Sequence, residues 1–434
     1  MRAFATLYLA LVLTPLAVVL AGPVPASVAG VWWAVAMGAG FAALAMMGAQ
    51  GLLTARIRWV SALGPTDRIF RWHKYLGIAA ALMVVAHPAI LVVDAPLRLV
   101  YLNPFVAPGY MTAGLAAVVA MLLLVVTTVG RKWFGLRHEG WRLGHDVLAA
   151  TAIVLAAVHV ERVRYYLADP LRHAVWVACA AGWVGVIVYA RLVRPALLTR
   201  KPWRVVGVHR ERGDAWTVSL VPEGHAGVSF VPGQFAWLTL GRTPFSAGDH
   251  PFSFSSRPGL PDGRVEFTIK ELGDSTRATG AVAPGTRAFV DGPYGGFTTS
   301  GIDAPGFVFI AGGIGIAPIL SMLRALVEAR DTRHHLLIHA GGRWDRLTGR
   351  ETVEGIQLLL DLQVVTVLED PPPVWDGERG RVDRAMLARQ LPHDVHRYSC
   401  FVCGPPGMIR DVVADLRDLG VPEGQIHAEL FDLF

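Results

Sequence analysis

The sequence predicts a multi-domain chain: an α-helical bundle of six membrane spans, then an antiparallel β-barrel, then a doubly wound α/β domain. Three observations carry this reading. Roughly the first 195 residues hold six apolar runs, each near the ~20 residues that cross ~30 Å of hydrocarbon. After RPALLTRKPWR the runs give way to short alternating strands with Gly and Pro punctuation. From 305 onward, strands alternate with helices. The expected domains are 1–196, 200–302 and 305–434.

Composition agrees with a membrane part joined to a soluble part. Of the 434 residues, 53% are hydrophobic and 17% charged, where a soluble chain carries about a quarter charged; the mean hydropathy is +0.43. Three cysteines, Cys179, Cys400 and Cys403, are too few for a disulfide framework or a four-cysteine iron–sulfur cluster. The net charge of +6 is modest, and no basic-aromatic patch supports a nucleic-acid partner.

The apolar runs cover about 4–22, 31–53, 74–93, 110–129, 143–160 and 174–190. Arg56, Arg58, Arg68, Arg71 and Lys74 crowd the loop after the second run. Arg131, Lys132, Arg137 and Arg142 crowd the loop after the fourth, and Arg191, Arg194, Arg200, Lys201 and Arg204 follow the sixth. The alternate loops are poor in bases or, at 161–173, mixed. The positive-inside rule then puts both termini in the cytoplasm of a multi-pass protein of the cell (inner) membrane, with the lipid bilayer as a partner. A small-residue stretch within 1–30 resembles a signal cleavage site, but the apolar run before it is long for that role.

Two spans carry histidines. RWHKYLGIAAALMVVAHPAILVV holds His73 and His87, and WRLGHDVLAATAIVLAAVHVERV holds His145 and His159. Each pair is fourteen residues apart. At ~100° and ~1.5 Å per residue, both imidazoles fall within ~40° of one direction, at depths ~21 Å apart. The two helices run the same way, so His73 matches His145 in depth and His87 matches His159. Ionisable side chains in hydrocarbon are costly and mark function by default. Two imidazoles facing across a bundle suit a low-spin haem iron ligated on both sides; zinc would want further ligands. A packing histidine is the bland alternative for one such residue, less so for two matched pairs. His138 and His173, at loops or helix ends, read as solvated or interfacial.

In the soluble half, RVVGVHR, WTVSLVP, FAWLTL, VEFTIK and RAFVDGPYG read as strands of the barrel. FVFIAGGIGIAPILSMLRALVEA reads as a strand, a glycine turn and a helix, and LLIHAGG, QVVTVLE and SCFVCG as further strands. On strand HPFS, alternation points His250 and Phe252 one way and Ser253 the other. GDST before a helix-like stretch offers backbone amides and the Thr276 hydroxyl to a pyrophosphate. Gly312, Gly313 and Gly315 let backbone approach a dinucleotide phosphate, and Pro318 suits a first helical turn. Cys400 and Cys403 form CxxC, but an offset of three on a strand points them to opposite faces, against a redox disulfide or zinc half-site. After LLIHAGG stand Arg343 and Arg346, suited to the 2′-phosphate of NADPH rather than to NADH, with Asp345 close by.

HPFSFSS at 250–256, IKELGDSTRATG at 269–280, GPYGGF at 292–297, AGGIGIAP at 311–318, CGPPGM at 403–408 and the terminal HAELFDLF follow one another in order. With the paired histidines, the chain resembles the ferric reductase and NADPH oxidase superfamily of transmembrane flavocytochromes, whose cytoplasmic part is a ferredoxin–NADP reductase-type module. The resemblance covers essentially the whole chain. It implies two haem b groups, FAD and NADPH or NADH. It implies FAD contacts from His250, Pro251, Phe252, Ser253, Lys270, Gly273 and Thr276, with the aromatic over the isoalloxazine and the Ser253 hydroxyl near its N5. It implies Cys403, Gly404 and Pro405 at the nicotinamide, and a C-terminal aromatic on the flavin's open face, Phe431 by its E-x-F pattern in preference to Phe434.

The implied activity is electron transfer from cytoplasmic NAD(P)H through FAD and two haems to a small-molecule acceptor outside the membrane, a ferric chelate first. The alternatives are superoxide formation, and an electron-transfer module serving a quinone or partner protein. Oxidases of this superfamily typically add a histidine one turn beyond the outer ligand of the third helix, where this chain has Leu91. They also place an arginine on the second helix, where residues 31–53 have none. No EF-hand loop is present.

Overall fold

The structure, a computed structural model, describes residues 2–21, 30–57, 66–246 and 248–430. It divides into two compact units, Met1–Pro195 and Ala196–Phe434.

The first unit is helical: α1 (Arg2–Leu20), α2 (Val31–Thr54), α3 (Thr66–Asp94), α4 (Gly109–Val129), α5 (His138–Val163) and α6 (Pro170–Val188), the last continuing through a π turn at Tyr189–Val193. Small residues make the interior, among them Ala43, Ala49, Ala80, Ala117, Ala120 and Ala152, while Leu82, Leu123, Val126, Val147 and Val154 point outward. That inside-out arrangement is what lipid demands: small residues let backbones approach, and branched apolar ones need no water. α2 packs chiefly along α3, and α4 along α5. Among the described residues, five helices are long and apolar enough to span a bilayer, and a further apolar stretch, Ala5–Val18, lies within α1. At ~1.5 Å per residue the 19-residue α1 rises ~28 Å, close to the ~30 Å of hydrocarbon. Between α3 and α4 the chain makes a 3₁₀ helix, Pro96–Leu102, and this loop turns Leu97 (91% exposed) and Phe105 (96%) outward.

The second unit holds two six-stranded sheets. The first contains β1 (Trp203–Glu211), β2 (Ala215–Pro222), β3 (Phe235–Leu240), β4 (His250–Ser253), β5 (Val265–Lys270) and β6 (Arg287–Tyr294), in the order β4-β3-β6-β1-β2-β5. All its pairings are antiparallel, and a bridge from Phe254, just past β4, to Phe267 on β5 joins the two outer strands. The alternation of VEFTIK buries Val265, Phe267 and Ile269 in one core with Trp203, Val218 and Phe254.

The second sheet contains β7 (Phe307–Gly312), β8 (His335–Gly341), β9 (Leu362–Leu368), β10 (Glu378–Arg379), β11 (Ser399–Gly404) and β12 (Ile426–Leu430). It is parallel, in the order β10-β9-β8-β7-β11-β12. Central strands covered on both faces read as continuous apolar runs, which is why FVFIA and SCFVC carry no alternation. Cys403 lies in the core on one side of this sheet and Cys400 in the core on the other. Helix α7 (Ile316–Glu328) follows β7 and ties the two sheets together: the Ser321 hydroxyl donates to the Ser256 carbonyl at 2.6 Å, and Arg324 Nη1 to that of Ser255 at 2.7 Å.

Candidate functional site

The four intramembrane histidines come together in two pairs. The rings of His73 and His145 lie 6.2 Å apart, centre to centre, and those of His87 and His159 lie 6.5 Å apart. Metal–imidazole bonds are about 2 Å long, and a ring nitrogen sits a little over ~1 Å from its ring centre. Two such bonds in line therefore separate the ring centres by about 6.3 Å. Among the described residues no group of three or more His, Cys, Asp or Glu is placed to hold a metal, so each pair stands as two imidazoles alone. Both spacings fit a haem iron between two axial histidines.

Hydrogen bonds fix which nitrogen is available. His87 Nδ1 is 2.8 Å from the Ala36 carbonyl on α2, and His159 Nδ1 is 2.8 Å from the Tyr110 carbonyl on α4. A carbonyl can only accept, so each Nδ1 carries the proton and each Nε2 keeps its lone pair for a metal. Glycine makes this approach possible. A Cβ on Gly40 would sit 2.9 Å from His87 Nδ1, and one on Gly114 2.8 Å from His159 Nδ1. At the other pair, the Thr128 hydroxyl lies 3.2 Å from His145 Nδ1. His73 Nδ1 is buried with no hydrogen-bond partner among the described residues. Trp141 packs against His145 with ring centres 5.5 Å apart, and the Arg131 guanidinium lies 5.1 Å over Trp141. Gly40, Gly114, Thr128 and Trp141 were not among the residues the sequence singled out.

In the second unit, β4 carries His250, Pro251, Phe252 and Ser253. The His250 and Phe252 rings are 6.4 Å apart. The Ser253 hydroxyl is buried, with no hydrogen-bond partner among the described residues. The GDST stretch departs from expectation. It is a single turn, Asp274–Arg277, followed by a 3₁₀ turn, too short for a substantial dipole. The Thr276 hydroxyl accepts from the Leu272 and Gly273 amides at 2.8 and 3.0 Å and so shapes the turn.

The three glycines after β7 divide their work. A Cβ on Gly312 would meet Met408 Sδ at 2.5 Å and Pro405 at 2.9 Å; one on Gly315 would meet the Cys403 carbonyl at 2.1 Å. These two let the ends of β7 and β11 touch. Gly313, at φ +54°, faces open space, with Lys270 Nζ 3.9 Å from a Cβ built there. Pro318 lies buried in the first turn of α7. Gly404 packs on Gly312, and Cys403 pairs in register with Glu429 on β12. A Cβ on Gly295 of the GPYG loop would lie 3.5 Å from Glu429 Oε1. Cys403, Gly313, Gly315, Lys270, Gly295 and Glu429 thus converge from both sheets. Burial, with Glu429 adding to it, raises the Cys403 thiol well above its ordinary range, so it stays protonated. Phe431 and Phe434 lie outside the described residues.

The arginines expected at a 2′-phosphate are not bare. Arg343 Nε donates to Asp345 Oδ1 at 3.0 Å, both side chains more than half exposed, and Arg346 pairs with Asp214 of the β1–β2 turn. Each of the two arginines thus has a carboxylate partner.

Comparison with known proteins gives two family matches: ferric reductase-like transmembrane component over residues 39–157, and oxidoreductase NAD-binding domain over 309–414. The chain is 32% identical over 237 residues to the propane 2-monooxygenase reductase component of Rhodococcus jostii, covering 52% of this chain and 62% of that one. It is 33% identical over 170 residues to NADH–cytochrome b5 reductase 1 of Arabidopsis thaliana, covering 38% and 57%. The chain spans about three-fifths of the length of the curated relatives it matches. Among solved structures, the ferredoxin reductase in carbazole 1,9a-dioxygenase is 25% identical with a TM-score of 0.46, over 53% of this chain and 69% of that one. A flavohemoglobin from Malassezia yamatoensis is 18% identical with a TM-score of 0.49, over 92% and 98%. The chain joins a ferric reductase-like transmembrane part to an oxidoreductase NAD-binding domain. This combination matches the ferric reductase and NADPH oxidase type of membrane protein.

Proposed function

We propose that the chain passes electrons from NAD(P)H through FAD to two haem b groups, bound by His73 with His145 and by His87 with His159, and on to an acceptor across the membrane. The observation that carries this reading is the pair of ring separations, 6.2 and 6.5 Å, on two histidine helices. FAD takes a hydride as two electrons, and haem iron passes them singly. The rest is the work of side chains. His250, Pro251, Phe252 and Ser253 hold the flavin, aided by Lys270 and by the Gly273–Thr276 turn. Gly312, Gly313, Gly315 and Pro318 admit the coenzyme phosphates. Cys403, Gly404 and Pro405 hold the nicotinamide, with Phe431 over the flavin's open face. Arg343 reads a 2′-phosphate, giving NADPH preference over NADH; its exposed pair with Asp345 is of the kind that contributes ~1 kcal/mol or less.

Three domains are read here: 1–196, 200–302 (the antiparallel sheet taken as a barrel, a reading the Phe254–Phe267 bridge supports) and 305–434. The arginine-rich loops put the termini and the soluble domains in the cytoplasm, the near side, and the His87–His159 pair toward the far side of the cell membrane. The acceptor is a ferric chelate, drawn by Arg162, Arg164 and Arg172 in the far loop. Leu91, in place of an oxidase histidine, counts against superoxide. A second reading, reduction of a lipid-dissolved quinone, is favoured by the apolar far loop bearing Leu97 and Phe105. The deciding experiment is the spectrum of the purified protein: two low-spin b-type haems per chain are expected, and one or none overturns the model.

A further inference from the structure

The two histidine pairs, at two depths, are built by an internal repeat, each copy contributing one histidine at each depth. On α2 the chain reads AMGAGFAALAMMGAQGLLT (36–54), and on α4 it reads YMTAGLAAVVAMLLLVVTT (110–128). A constant offset aligns Gly40 with Gly114 and Thr54 with Thr128, with Met37 on Met111 and Met47 on Met121 between them. A constant offset likewise aligns His73 with His145 and His87 with His159. So α2–α3 and α4–α5 are two copies of one hairpin, and each supplies one histidine to each pair.

Within a copy, glycine and threonine are fourteen residues apart, as the histidines are. Glycine therefore stands opposite the far histidine, and threonine opposite the near one. The consequence is chemical. Where glycine stands, the ring reaches the bare carbonyl one turn earlier: Ala36 before Gly40, Tyr110 before Gly114, both at 2.8 Å. Where threonine stands, a hydroxyl meets the ring, as Thr128 meets His145 at the longer 3.2 Å. The repeat puts Thr54 in the same relation to His73. There the residue one turn earlier is Gln50, whose backbone is the polar group nearest the His73 ring but stays outside hydrogen-bond distance of Nδ1, which has no acceptor among the described residues. The Thr54 hydroxyl is turned to its own helix, 3.4 Å from the Gly51 carbonyl.

We infer that this difference tunes the two haem sites apart: the far site has the more negative potential, and Thr128 is a positioning residue that sets the near one. The inference rests on the haem reading above. An Nδ1–H given to a carbonyl makes the imidazole a more basic ligand and favours ferric iron. A hydroxyl at greater distance does so less. Two carbonyls at 2.8 Å at the far pair, against one hydroxyl at 3.2 Å and one Nδ1 without an acceptor at the near pair, order the potentials.

The test is spectroelectrochemical titration of the purified, haem-loaded full chain in detergent. Two reductive waves are expected. His159→Ala should abolish the more negative one, and His145→Ala the more positive. Thr128→Val should move the positive wave further positive and leave the negative wave in place, with Thr128→Ser restoring the original value. The inference is overturned if the two waves coincide, if His145→Ala removes the more negative one, or if the valine variant moves both waves or neither. If the valine variant does not fold, the histidine variants alone decide the order. Purified protein without haem would instead overturn the haem reading itself.

Discussion

His87 and His159 face each other with ring centres 6.5 Å apart, and each is held through Nδ1 by a carbonyl of the helix beside it, Ala36 on α2 and Tyr110 on α4. Replacing either imidazole with alanine should remove one of two haems and leave flavin reduction by NAD(P)H intact. Haem content per chain and stopped-flow flavin bleaching report the two separately. Retention of both haems in His87→Ala would refute the assignment.

Gly40 and Gly114 should tolerate no side chain. A methyl at either would lie inside 3.0 Å of a ring nitrogen, and overpacking of this kind costs typically 1–3 kcal/mol. Gly40→Ala and Gly114→Ala are expected to release the far haem at lower temperature than the near one, followed by the Soret band on heating. Equal release of both haems would contradict the packing argument.

Coenzyme preference turns on Arg343. Flavin reduction should be faster with NADPH than with NADH, and Arg343→Ala should slow the NADPH reaction about tenfold, ~1.4 kcal/mol, with little change for NADH. Equal rates for the two coenzymes in the parent chain would show that Asp345 cancels the charge.

The Cys403 thiol is fully buried and its ionisation is raised well above the ordinary range. The sign follows. A group whose folded pKa is raised contributes stability below its unfolded value, ~8.5, and that contribution is lost as pH rises toward the folded value. Thermal stability should fall above about pH 8.5, and Cys403→Ala should flatten that fall. The same variant should slow hydride transfer without releasing FAD. An unchanged alkaline slope would mean another group is responsible.

The acceptor can be read in sealed vesicles supplied with NADPH on the near side. Ferric chelate reduction should persist without oxygen and in the presence of superoxide dismutase. Neutralising Arg162 and Arg164 together should raise the KM for an anionic chelate, more at low salt, where screening is weak. Loss of iron reduction under either condition would make superoxide the product. Failure of both, with reduction of an added quinone, would favour the lipid-side reading.

Much of this was legible in the chain. Spans show as long apolar runs, and histidines in them stand out because ionisable groups there are rare. The β7 glycine turn and the parallel order of its sheet followed from strand–helix alternation. Gly40 and Gly114 were missed because a glycine in an alanine-rich helix reads as packing. The repeated M-x-A-G-x-A-A on α2 and α4 was the available signal. That Thr276 lies inside a one-turn helix, its hydroxyl held by the Leu272 and Gly273 amides, is set by contacts no local pattern reports. The pairing of Arg346 with Asp214 joins residues 132 positions apart, which no local pattern reports.

The fourteen-residue spacing within α3 and α5 has an electrical meaning. It separates the two pairs by ~21 Å along helices that cross ~30 Å of hydrocarbon. A charge moving between them would traverse about two thirds of the insulating layer, so each 100 mV across the bilayer would weigh on that step by about 1.5 kcal/mol. Turnover would then be a current. In a membrane held negative on the near side, the voltage would drive electrons outward, and every turnover would discharge it unless an equal positive charge followed.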